Sequence, residues 1–198
     1  MLIDEFLSEY DFEEKHSIAI HADAATVYEA AQTANFGESW IVRTLLTLRG
    51  MSADALTLRN LSYSKFRILG ERPASELLIG LAGKFWTPWG DLQDVNADNF
   101  KAFDKSGYAK AVWNFSLDAD GPGGEVTRLT TETRIKCLGE KSRRSFGFYW
   151  TFVQPFSGLI RMEMLKTIKR KAEMSVPPAI AGGKDGHQWG DKSLELFS

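Results

Sequence analysis

The sequence holds a single cysteine, Cys137, in 198 residues, so no intrachain disulfide can staple the fold. That scarcity suits a reducing compartment. Histidine is nearly as rare: His16, His21 and His187 are the only three. His16 and His21 fall on opposite faces of a regular strand, and no Cys/His spacing of the zinc type occurs, so neither a metal nor a cofactor is expected. No stretch approaches the roughly 18 unbroken apolar residues of a membrane span. The opening Met1–Leu7 segment carries acids where a signal peptide needs bases and lacks an apolar h-region, which makes a cytoplasmic protein the expectation. Charge of one sign is also missing. With 24 Lys+Arg against 26 Asp+Glu, the net charge of −2 gives no global attraction to nucleic acid or an anionic membrane. Phosphate loops and nucleophile elbows are absent as well, since neither G-x-G-x-x-G, a Walker pattern nor G-x-S-x-G is found.

What is present is a core. Hydrophobic residues make up 43% of the chain and aromatics 12%, and the length fits one domain with a tail. Residues 13–21 alternate as a strand, with His16, Ile18 and Ile20 on one face. Asp23 caps a helix over Ala24–Asn35, whose Val27, Ala30, Ala31 and Ala34 keep helical spacing until Gly37. Further helices are predicted over Ser39–Leu48 and Asp54–Leu61.

The period then changes from helix to strand. Lys65–Arg72 and Ser75–Trp86 read as a hairpin about Pro73. Gly107–Leu117 is a long strand with Ala109, Ala111, Trp113, Phe115 and Leu117 pointing one way. The turn cluster 118–124 returns the chain into a partner strand over Glu125–Cys137. Last comes a helix over Glu140–Glu173, with Phe146, Trp150, Val153, Ser157, Ile160, Met164, Ile168 and Ala172 on one stripe. Pro155 lies inside it and predicts a kink or break. Residues 1–174 therefore read as one domain and 175–198 as a flexible or docked tail, in which Trp189, Leu194, Leu196 and Phe197 are apolar.

Element order and particular words together resemble the START/Bet v 1-like superfamily, also called SRPBCC or polyketide cyclase-like. The words are HSIAIHADAATVYEAA at 16–31, FRILGERP at 66–73, GYAKAVWNFSLD at 107–118, TRLTTETRI at 127–135 and PFSGLIRMEMLKTIKRKAE at 155–173. The later ones are similar to a bacterial branch without a settled activity. The resemblance implies an α+β helix-grip fold: a curved antiparallel sheet around a long C-terminal helix, with two or three short helices near the N-terminus. It also implies an internal apolar cavity. It implies no reaction, because the superfamily hosts carriers, cyclases, hydroxylase subunits and chaperone regulators.

The expected cavity face carries Phe85, Trp113, Phe115, Leu129, Thr131, Thr133 and Ile135, with Tyr149, Trp150 and Val153 approaching from the helix. An apolar wall with a few placed polar groups is the character of a ligand pocket, and a filled core has the same pattern. His16 is a ligand donor or general base on one reading and a core histidine with one partner on the plainer one. The alternating polar face Arg128, Thr130, Glu132, Arg134 and Lys136 reads as solvated. The basic runs beginning at Lys141 and Lys166 do not form a nucleic-acid site, and the second complements the dipole at a helix C-terminus. Phe148, Phe152, Phe156 and Leu159 form a second strip on the helix. It reads as buried against the early helices, with a cavity mouth or a homodimer face as the alternative.

Three functions follow. The first is a protein that binds a small hydrophobic molecule, such as a lipid, polyketide or aromatic metabolite, through Phe85, Trp113, Phe115, Thr131, Thr133, Tyr149, Trp150 and His16. The second is a cyclase or dehydratase using His16, Tyr149 or the Thr131/Thr133 hydroxyls for acid–base work. The third is a module whose surface binds a protein partner.

Overall fold

Alternation, turn clusters and one helical stripe set the elements in the order the chain presents them. A computed structural model describes residues 1–39, 43–44, 57, 66–120 and 123–176. The elements are α1 (Leu2–Phe6), β1 (Phe12–Ile20), α2 (Ala24–Thr33), a 3-10 turn (Phe36–Glu38), β2 (Arg67–Arg72), β3 (Glu76–Lys84), β4 (Gly90–Gln93), β5 (Tyr108–Asp120), β6 (Val126–Leu138) and α3 (Glu140–Ser175). Most of the helices predicted over Ser39–Leu48 and Asp54–Leu61, and nearly all of the tail, lie outside the described residues.

The strands form one six-stranded antiparallel sheet in the order β1-β6-β5-β3-β2, and β4 pairs with the far end of β3. The order follows from hairpins. β5 and β6 pair from Tyr108↔Leu138 to Asp120↔Val126, so β5 runs on through the first three residues of the 118–124 cluster. β2 and β3 pair from Arg67↔Gly80 to Arg72↔Glu76 across Pro73. The first strand is then placed beside the last, on β6, by Phe12↔Ile135 through Ile20↔Thr127. The curved sheet and the long C-terminal helix make this the α+β helix-grip fold.

One sheet face packs under α3 and α2. Its core includes Ile79, Trp113, Phe115, Leu129 and Ile135 from the sheet, with Phe146, Leu165 and Ile168 from α3. Asp23 caps α2 as predicted, its carboxylate accepting from the Thr26 N–H at 2.9 Å. Pro155 does not break α3, which runs unbroken from Glu140 to Ser175. Pro155 denies a hydrogen bond to the carbonyl of Thr151. Both residues are exposed, so water can take that bond.

The opposite face is not the solvated surface its polar pattern suggests. Thr130, Glu132 and Arg134 are buried, beneath a second core in which Leu2, Ile3 and Leu7 pack with Leu78, Phe100 and Val112. The short α1 covers this face, and a polar network receives it. Buried Glu76 accepts from the N–H of Leu2 at 2.7 Å, the N–H of Ile3 at 3.3 Å and Asn114 Nδ2 at 2.8 Å. Arg134 bridges Glu132 at 2.5 Å and Asp4 at 2.8 Å. The Arg134 guanidinium, with help from the chain's N-terminal ammonium, holds the Asp4 carboxyl below its ordinary range. Alternating polar residues are thus compatible with burial when each charge finds a partner.

Candidate ligand site beneath the long helix

Strand register builds the site. Glu14, Thr133, Trp113 and Ile79 form one rung across β1, β6, β5 and β3, and His16, Thr131, Phe115 and Leu77 form the next rung of that face. Alternation puts all eight side chains on the face that α3 crosses. The helix comes close here because residue 158 is glycine. A Cβ added at Gly158 would lie 3.0 Å from Glu14 Oε1 and 3.4 Å from the His16 ring. The absent side chain lets α3 lie against β1 and brings its polar residues over the two rungs.

Three of those groups interlock. Glu14 Oε1 is 3.0 Å from His16 Nε2, and Glu14 Oε2 accepts from the Ser157 hydroxyl at 2.6 Å. One turn on from Ser157, Arg161 sets its guanidinium over the Trp113 ring, 5.1 Å from the centroid. Phe66 packs edge-on against that indole, with ring centroids 5.2 Å apart. Burial pulls the Arg161 guanidinium down to about 10, and the negative charge of Glu14 opposes the shift. Arg161 nonetheless keeps some accessible surface.

Two further polar atoms face the same interior. Trp113 Nε1 and Thr131 Oγ1 are buried and have no hydrogen-bond partner among the described residues. Nearly all buried polar atoms in folded proteins are paired, so these two, on neighbouring strands, stand apart. Elsewhere on this core, Phe12, Ile18, Tyr28, Phe85, Tyr149 and Met162 pack against the cluster while remaining only partly buried.

The residues predicted for the site divide into two groups. Trp113, Phe115, Thr131, Thr133 and His16 share the two rungs below Ser157 and Arg161. Phe85, Tyr149 and Trp150 gather instead around Phe146 near the start of α3, at centroid distances of 5.6, 5.8 and 5.7 Å. Phe85 lies just past the end of β3, in the turn that follows it. Glu14 and Arg161 escaped the sequence reading, though signals existed. Glu14 is two residues before His16 and shares its face. Arg161 is four after Ser157 and shares its helical stripe. The second helical strip is open: Phe148, Phe152, Phe156 and Leu159 are 73%, 61%, 52% and 53% exposed. Among the described residues the early helical elements meet α3 through its opposite side, so the expected burial on two sides does not occur.

No helix among the described residues is long and apolar enough to cross a membrane. No protein-family model matches the chain, and no curated protein matches it. Solved structures with a likeness include TTHA0849 from Thermus thermophilus, at 11% identity and a TM-score of 0.35, over 84% of this chain and 100% of that one. CalU16 from Micromonospora echinospora is 14% identical with a TM-score of 0.30, over 82% of this chain and 84% of that one. The Zhui aromatase/cyclase from Streptomyces sp. R1128 is 14% identical with a TM-score of 0.32, over 87% of this chain and 98% of that one. The fold assignment rests on the sheet order and helix described above.

Proposed function

We propose that this protein binds a small hydrophobic molecule between the sheet and the middle of α3. The observation that carries the reading is the pair of buried, unpartnered atoms, Trp113 Nε1 and Thr131 Oγ1, on a face whose rungs mix the apolar Leu77, Ile79 and Phe115 with a few polar groups. A filled core would leave them as pure loss, at roughly 1–3 kcal/mol each. A ligand or the water it displaces supplies the missing partners. Native mass spectrometry of the purified protein, with organic extraction of what it carries, tests the reading. A bound small molecule supports it. A protein that co-purifies with nothing and binds no neutral hydrophobic probe overturns it.

A second reading has an observation of its own. His16 and Glu14 form a histidine–carboxylate pair beside the same interior, the arrangement a general acid–base group requires. If the pair does chemistry, His16→Asn abolishes turnover of the extracted molecule and leaves its binding intact. An extracted molecule whose mass and structure stay unchanged on incubation with fresh protein removes this reading and leaves the first standing.

A further inference from the structure

The interior beneath α3 holds a cation with no ion-pair partner among the described residues. Arg161 makes no ion pair and no hydrogen bond there, and its guanidinium lies over the face of Trp113. Glu14, the nearby charge, is committed elsewhere, with one oxygen on His16 and the other on Ser157. An arginine on a solvated surface needs no partner, but an enclosed one does, because desolvating a lone charge is expensive.

The chemistry of the unpaired groups says what the partner must be. Guanidinium and indole N–H are donors only, and a threonine hydroxyl can donate. Three donor groups on one interior face call for an acceptor, and beside a cation the favoured acceptor is negative. A carboxylate matches the planar fork of Arg161 and has lone pairs left for further donors. The surroundings supply the other half of the molecule. Phe66 packs on Trp113, and nearer the start of the same helix Phe146, Tyr149 and Trp150 cluster into an aromatic wall.

We propose that the ligand is an amphipathic acid, a hydrophobic molecule whose carboxylate pairs with Arg161 and takes further hydrogen bonds from Trp113 Nε1 and Thr131 Oγ1. This rests on the binding reading above and narrows it from hydrophobic molecules in general to hydrophobic carboxylates. Arg161 selects the ligand by charge, and the aromatic wall holds its body.

The test is displacement of a neutral fluorescent probe, N-phenylnaphthylamine, from the full-length protein at neutral pH. Competitors are matched pairs that differ only at the head: dodecanoic acid against dodecanol, and naphthoic acid against naphthylmethanol. In the wild type the better-fitting acid displaces the probe at a concentration roughly ten- to a hundredfold below that of its alcohol, the range of a hydrogen-bonded charge. Arg161→Met loses the preference, while Arg161→Lys keeps part of it. Equal displacement by acid and alcohol in the wild type overturns the proposal and leaves the binding reading intact. That comparison needs no variant, so a folding failure cannot obscure it. An undiminished preference in Arg161→Met also overturns the proposal, because the charge reader is then another residue. Failure of the wild type to bind the probe at all removes the pocket itself, and the acid with it.

Discussion

Replacing Arg161 by methionine is expected to make the ligand-free protein more stable, although it removes a residue that contacts Trp113. The fall of the guanidinium from its ordinary range to about 10 means that the folded protein holds this proton less tightly than the unfolded chain does. At about 1.4 kcal/mol for each tenfold change in proton affinity, that is roughly 3 kcal/mol against folding. Arg161 keeps some accessible surface, and solvent screening brings the figure down to about 2 kcal/mol. Losing the guanidinium–indole contact takes back about 1 kcal/mol, and the methionine sulfur returns part of that against the same ring. The net expectation is a gain of about 1–2 kcal/mol, read at neutral pH as a urea midpoint higher by roughly 0.5–1 M. The sign with pH follows. Below pH 10 both folded and unfolded chains carry the proton and the full penalty is present. Above about 10 the folded state releases it before the unfolded chain does, so the wild type closes the gap on the variant as pH rises. A variant less stable than the wild type by about 1 kcal/mol or more would refute the reasoning, since the guanidinium would then be a structural partner. Binding sites commonly trade stability for function in this way.

Other positions give sharp expectations of their own. Glu76→Ala strands two backbone donors and the Asn114 amide under α1, so a loss of about 3 kcal/mol is expected, with faster amide exchange at Leu2 and Ile3. A change under about 0.5 kcal/mol would mean that α1 is not held by this carboxylate. Cys137 is buried, and burial, reinforced by the negative charge of Asp11, pushes its thiol up to about 12. A thiol reagent should therefore label the native protein no faster than it unfolds, and a rapid phase in native buffer would contradict that. Phe152→Ser, at a position 61% exposed, should change the stability read from a urea titration by no more than about 0.5 kcal/mol. A loss above about 1 kcal/mol in the same titration would show that this strip is covered in solution.

Local signals were enough for most of the architecture. Period-two alternation and turn clusters placed the β2–β3 and β5–β6 hairpins. The three-to-four spacing from Phe146 to Ala172 placed α3, and Asp23 marked the start of α2. Each of these depends on neighbours in the chain, which is why a single sequence displays them. Alternation along a strand is a local rule too, and it put His16, Trp113, Phe115, Thr131 and Thr133 on one face.

Other features depend on what lies across space. Polar alternation in β6 looks the same whether water or α1 covers it. Only the docking of Leu2 and Ile3 on Glu76, and the pairing of Glu132 with Arg134, decided that this face is interior. Pro155 carries the same steric message in any helix, but whether the orphaned Thr151 carbonyl can reach water depends on which side of α3 faces out. The polar centre is the clearest case. Glu14 and Arg161 are ordinary charged residues in the sequence, separated by most of the chain. They share an interior because β1 pairs with β6 and because Gly158 lets α3 lie on β1. The sheet, the helix and the apolar face between them were legible residue by residue along the chain. Which charges that face encloses was settled by packing, since burial belongs to the assembled molecule and to no residue alone.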